Sequence, residues 1–220
     1  MGVKRPPHGV GPGAAKSEIW LDVEHLENRQ ISTMPNFVSI AAAAEHLKSA
    51  NRVSVIGSSA GGKSTLSRMI SQAHSLPHIS IDREIRWLPG WKIRDYNQQR
   101  AKLQEFISQD KWILDGTSVS SFETRIPRSD IVLWVRPTRM RAMWQLSKRV
   151  ACSYGQVRSD MADGCPEQLP DLEFLHYIWT FEKHQSPRIV DALNRFGPYT
   201  PVFEILKKSD AETLLSLSRK

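Results

Sequence analysis

An α/β fold built on a parallel sheet is the prediction of this sequence, and three observations carry it. From residue 51 onward, strand-like and helix-like stretches alternate, the pattern of successive strand–helix–strand units. Residues 131–135, Ile-Val-Leu-Trp-Val, are continuously apolar, as a strand covered on both faces must be. A glycine-rich stretch at 57–65 stands between the first apolar run and the first helical pattern, where such sheets place a ligand.

Taken in order, residues 1–16 are rich in proline and glycine and lack apolar periodicity, so they read as disordered. A weak amphipathic pattern through Ile19, Trp20, Val23 and Leu26 predicts a short helix, and the alanine run 41–44 predicts a second over 39–50. Residues 1–50 are therefore expected to form an N-terminal extension, and residues 51–220 the main domain. Its first strand covers 53–56 and the following helix 63 to about 74. The second strand covers 78–81 and ends at Asp82. A polar loop marked by Trp87 and Trp91 follows, then a helix from about 95 to 108. The third strand covers 111–114 and ends at Asp115-Gly116, and the fourth is 131–135. A long helix is expected from about 138 to 153, then a polar stretch at 155–170 that should be mobile or ordered by ligand. Residues 171–196 read as helix with a break at Pro187. A fifth strand at 202–206 leads to a closing helix at 209–218, capped by Ser209 or Asp210.

Composition narrows the class of protein. With 40% hydrophobic and 24% charged residues in 220, the chain matches ordinary globular proteins and is long enough for a core without disulfides or metals. No run approaches the roughly 20 apolar residues of a membrane span, and no apolar run follows Lys4 and Arg5 as in a secretory leader. A cytoplasmic protein without a membrane partner is expected, as a monomer or a dimer. Cys152 and Cys165 are too few for a disulfide framework or a four-cysteine zinc site. The formal charge of +7 suits anionic partners, nucleotides and nucleic acid alike.

The stretch Gly57, Ser58, Ser59, Ala60, Gly61, Gly62, Lys63, Ser64, Thr65 is G-x-x-x-x-G-K-[ST] between a strand and a helix. Glycine lets successive N–H groups turn inward to make a concave anion site, and the helix N-terminus adds its positive end. Lys63 is expected to reach the β- and γ-phosphates of ATP, and the Ser64 hydroxyl to ligate Mg²⁺. Asp115, at a strand end, is the expected second metal-holding group, the alternative being a plain Asp-Gly turn. Asp82 is read either as the group that orients or deprotonates an acceptor hydroxyl or as a turn cap. Trp87 and Trp91 are read either as faces on which a planar substrate stacks or as packing for a small subdomain. Arg125 and Arg128, between the third and fourth strands, and Arg139, Arg141, Arg149 and Arg158, on or after the long helix, are candidates for holding phosphoryl oxygens.

Several of these segments together resemble the adenylate kinase-related P-loop proteins labelled DNA topology modulation (FlaR-like) proteins. They are 53–65, His78-Ile79-Ser80-Ile81-Asp82 with Trp87 and Pro89-Gly90-Trp91, Trp112-Ile113-Leu114-Asp115-Gly116, Arg125-Ile126-Pro127-Arg128-Ser129-Asp130, and Gly164-Cys165-Pro166-Glu167. The resemblance spans about residues 51–190. It implies a three-layer α/β/α P-loop fold, with a five-stranded parallel sheet in the nucleoside-kinase order. It also implies an acceptor-binding insert at about 83–110 and a lid at about 138–170, with Arg149 and Arg158 as lid arginines. The chain departs from that pattern at Arg136, where an acid is common.

The resulting expectation is a phosphotransferase that passes the γ-phosphoryl group of Mg·ATP to a small acceptor, a nucleoside monophosphate or another small hydroxyl or phosphate compound. Arg125, Arg128, Asp82, Trp87 and Trp91 are its expected acceptor contacts. The alternative is a nucleotide-binding regulator acting on DNA or RNA, although no dedicated nucleic-acid motif is present.

Overall fold

The computed structural model describes residues 34–219; the expectations for 1–16 and 17–30 lie outside them. Five parallel strands form the sheet: β1 (Arg52–Gly57), β2 (His78–Ser80), β5 (Trp112–Asp115), β6 (Ile131–Val135) and β7 (Val202–Ile205). Their order is β2-β5-β1-β6-β7, with β1 at the centre. Alternation along the strands fills two layers. Val53, Val55, Ile131 and Leu133 face α1 (Ile40–Ser49), α2 (Lys63–His74) and α8 (Lys208–Ser218). Ile56, Val132 and Trp134 face α4 (Phe122–Arg125), α6 (Leu172–His184) and α7 (Ser186–Phe196). Burial on both faces explains the unbroken apolar run of β6.

Residues 40–50 belong to this core and not to an extension. Ala43, Ala44 and Leu47 of α1 are buried in the same cluster as Leu214 and Leu215 of α8, because the alanine run leaves that helix face flat. Ahead of α1, Val38 N donates to Val202 O at 3.0 Å and Val202 N to Asn36 O at 2.8 Å. Phe37 stacks on Trp134, its ring centroid 6.4 Å away.

Four further boundaries differ from expectation. β2 stops at Ser80, whose hydroxyl accepts from Arg83 N at 3.3 Å, and Ile81–Arg86 forms a wide π-helical turn that contains Asp82. After the short hairpin β3 (Trp87–Leu88) and β4 (Lys92–Ile93), α3 (Tyr96–Ile107) is part of the helical layer. Its Leu103 and Ile107 pack on Ile79 and Leu114, so the insert ends before residue 96. The break between α6 and α7 falls at Gln185, with Pro187 in the first turn of α7, where its missing N–H is harmless. α8 begins one residue early, and Asp210 caps it from within by accepting from Leu206 N and Lys207 N at 3.0 and 2.9 Å.

The long helix is α5 (Arg139–Ser153), capped by the Thr138 hydroxyl and packed on α6 through Ala142, Leu146, Phe174 and Ile178. The stretch after it is tied to itself by two bridges. Tyr154 bridges to Glu167, and Val157 to Pro166.

Candidate active site

The site begins where β1 ends. A Cβ on Gly57 would lie 2.0 Å from Val135 O, so only glycine lets β1 and β6 run together here. Gly62 (φ +94°) turns the chain into α2 from a left-handed conformation, and Ala60 (φ +58°) also lies in that region, at some strain. Between them the backbone curls at the positive end of α2. Lys63 donates to Ser58 O at 2.8 Å, arching its ammonium across the loop. Burial pushes the Lys63 pKa down, opposed by the nearby carboxylates of Asp115, Asp82 and Asp160.

All of these carboxylates open onto one cleft of about 600 Å³ at the C-terminal ends of the strands. Residues 57 and 59–65 line it, whereas Ser58 is turned inward and buried. Asp115 is 3% exposed. Its Oδ2 lies 3.7 Å from His78 Nε2, and its Oδ1 is buried without a hydrogen-bond partner among the described residues. A buried carboxylate oxygen left over in this way fits a hydrated cation. Ser64 and Asp115 thus suit Mg²⁺ carried by a nucleotide, which needs only one or two protein groups beside the phosphates. Among the described residues no cluster of three or more His, Cys, Asp or Glu side chains could hold a metal unaided.

The opposite wall is basic. Lys148 and Arg149 of α5, Arg158 beyond it, Arg68 of α2 and Arg86 of the insert all reach the cleft. Burial pushes the Arg149 pKa down, and Glu167 beside it opposes that shift. Phe174 and Tyr177 of α6 close the side. The 155–170 stretch is fastened over the opening. Arg68 Nη1 donates to Ser159 Oγ at 3.2 Å, Ser80 Oγ to Asp160 O at 2.9 Å, and Arg83 Nη1 to Ser159 O at 2.8 Å.

Not every expected residue arrives. Trp87 and Trp91 are 1% and 5% exposed and pack edge-to-face with each other and against Met161, Ala162 and Cys165. They join the insert to the 155–170 stretch and offer no stacking face to the cleft. Arg125 is fully buried beneath the cleft floor, over the Phe122 ring, and donates to Gly116 O at 2.7 Å. Burial pushes its guanidinium down to about 9, with Asp115 opposing. Arg128 sits in the turn that leads into β6, at the end of the sheet away from the cleft. The motif around it has a structural use: Asp130 accepts from Asn51 N and Arg52 N at 2.9 and 2.8 Å, fixing the start of β1. Arg136 points away from the cleft and pairs with Glu182 of α6 and Glu204 of β7. Arg139 lies over Trp179.

Other residues join the site unannounced by any motif. Thr117 ties the exit of β5 to Gly57, and Arg86 and Lys148 add cations. Asp160 and Glu167 pair with the cleft arginines. The one signal of Asp160 in the sequence is acidity within an arginine-bearing stretch, whereas Glu167 ends the Gly164-Cys165-Pro166-Glu167 segment of the resemblance without an expected role of its own.

No family profile and no curated protein matches this chain in sequence. Among solved structures it is similar to shikimate kinase from Bacteroides thetaiotaomicron, at a TM-score of 0.47 and 12% identity over 76% of this chain and 95% of that one. It is also similar to shikimate kinase from Acinetobacter baumannii in complex with shikimate, at a TM-score of 0.46 and 12% identity over 79% and 94%.

Proposed function

We propose that this protein is an ATP-dependent phosphotransferase acting on a small acceptor, an adenylate kinase-related P-loop protein of the FlaR-like kind. The observation that carries the reading is convergence. The 57–65 loop, the carboxylates of Asp82 and Asp115, and the guanidinium groups of Arg149 and Arg158 face one cleft. The Trp87–Trp91 hairpin and Gly164-Cys165-Pro166-Glu167, which carry the resemblance, also meet in space, with Gly90 N donating to Gly164 O at 3.1 Å.

The loop N–H groups and Lys63 bind the β- and γ-phosphates of ATP. Beside the loop a second cavity of about 210 Å³, bounded by Thr65, Pro137, Arg141 and Leu206, takes the base. Ser64 and Asp115 would hold a magnesium ion carried by the nucleotide, which would supply charge neutralisation to the phosphates. Asp82, on the insert side, orients the acceptor hydroxyl and accepts its proton as the oxygen attacks the γ-phosphorus and the bond to the β-phosphate oxygen breaks. Arg149 and Arg158 hold the equatorial oxygens of the transferring group. The stretch fastened over the cleft excludes water, which favours transfer over hydrolysis.

The test is ATP binding by calorimetry, with a transfer screen over nucleoside monophosphates and small hydroxyl compounds, for wild type and Lys63→Ala. Wild type should bind ATP and phosphorylate at least one acceptor class, and the variant should do neither. A wild-type protein that fails to bind ATP would end this reading.

A further inference from the structure

Glu167 is a nearly buried carboxylate, its side chain 5% exposed, placed between two cleft cations. Oε1 takes Arg149, with Nη2 at 2.9 Å and Nε donating at 3.1 Å. Oε2 ion-pairs with Arg158, whose Nε lies 2.8 Å away without the alignment of a hydrogen bond. Arg158 Nη1 is held separately by Asp160 Oδ2 at 3.0 Å. Each guanidinium therefore keeps one terminal nitrogen outside these pairs, Nη1 on Arg149 and Nη2 on Arg158, and both side chains line the cleft. Two guanidinium groups this close repel each other, and a carboxylate that gives one oxygen to each sets their spacing.

Glu167 is itself held by main chain. Its N donates to Gln156 O at 2.9 Å, and its O accepts from Gly155 N at 2.9 Å. Just before it, Pro166 O accepts from Trp91 Nε1 at 3.2 Å. Cys165 Sγ accepts from Trp91 N at 3.2 Å and donates to Leu88 O at 3.4 Å. Burying such a carboxylate is costly unless both oxygens are paired, as they are.

We propose that Glu167 is the positioning residue that holds Arg149 and Arg158 as a spaced pair aimed at the transferring phosphoryl group. The Trp91–Cys165 contact fixes Glu167 to the acceptor-side insert. The role within catalysis rests on the kinase reading; the clamp itself does not.

The test uses the full chain with Glu167→Gln and Glu167→Asp. In arginine-selective nitrogen-15 spectra, the Nε–H signal of Arg149, assigned through Arg149→Lys, should be protected from exchange in wild type. That signal should lose protection in E167Q and keep part of it in E167D. ADP affinity should change less than about threefold in E167Q, while the gain on adding magnesium tetrafluoroaluminate, a mimic of the phosphoryl in flight, should fall about tenfold or more. E167D should recover part of that gain. An unchanged signal and an unchanged gain in E167Q overturn the proposal. So does a loss of ADP binding with a matching fall in Tm in both variants, which makes Glu167 a folding residue. If wild type binds no ADP, the kinase reading fails. The Arg149 Nε–H signal then judges the clamp alone: retained in E167Q it overturns the clamp, lost it supports it.

Discussion

The hydroxyl of Thr117 accepts from Gly57 N and donates to Gly57 O, both at 2.7 Å. One side chain thus fastens the exit of β5, which carries Asp115, to the first residue of the phosphate loop. Gly116 N adds a bond to Val55 O at 3.1 Å. The distance between Asp115, the proposed metal-holding acid, and the 57–65 loop is therefore set by the body of the protein before any ligand arrives.

Thr117→Val keeps the shape and removes both bonds. It should lower unfolding free energy by about 1–2 kcal/mol in urea titrations and weaken ATP binding several-fold. Thr117→Ser should restore most of both losses. A valine variant that binds ATP like wild type would show that the tie is irrelevant to the loop.

Gly57→Ala should be far more severe. The added methyl would meet the main-chain oxygen of Val135, so β1 and β6 must part. A loss of about 3 kcal/mol or more, or failure to accumulate as soluble protein, is expected. An unfolding midpoint within a degree of wild type would refute the close approach.

Lys63→Met separates stability from function. Because burial holds the folded-state pKa of Lys63 below its ordinary value of 10.5, the unfolded chain binds more protons in the window beneath that value. Stability contributed at this site therefore rises with pH through the window, and the cost of the charge is fully present below it. Removing the charge should raise the ligand-free Tm at neutral pH, by about 1 kcal/mol in stability, while abolishing ATP binding. In wild type, bound phosphate favours the protonated ammonium. ATP affinity should then fall as pH rises through the lowered pKa, and calorimetry in buffers of different ionisation enthalpy should register proton uptake. A lower Tm for the variant would contradict this.

Trp91→Ala should cost about 3–5 kcal/mol and expose the 155–170 stretch to limited proteolysis. Trp91→Phe, which loses chiefly the Nε1–H bond to Pro166, should cost about 1 kcal/mol and leave ATP binding intact. Were Trp91 a stacking face for the acceptor, the phenylalanine variant would change acceptor affinity without changing stability.

The 57–65 loop and the order of strands and helices were legible because each is written in local spacing: glycines around a turn, apolar runs, caps. The arginines were not equally so. Arg125 and Arg149 look alike as residues in basic segments. Only three-dimensional contact separates one beneath Gly116 from one beside Glu167. Trp91 meets Cys165 across 74 positions, and no local pattern reports such a meeting. Arg136 stands where an acid was expected because its partners, Glu182 and Glu204, lie on later elements. Asp82 was located, but its π-helical turn was not, since a hydroxyl at Ser80 ends the strand where apolar alternation would continue it.

The strand-like contact of residues 36–38 with β7 bears on how the protein is handled. A chain cut to begin at residue 51, just before the phosphate loop's strand, would lose the cover along β7 and bare the apolar surfaces now under α1 and Phe37. An uncovered strand edge beside exposed apolar surface invites a second molecule to pair there. Such a shortened protein should self-associate as its concentration rises, and a weak ATPase measured on it would report aggregation and not the chemistry of the cleft.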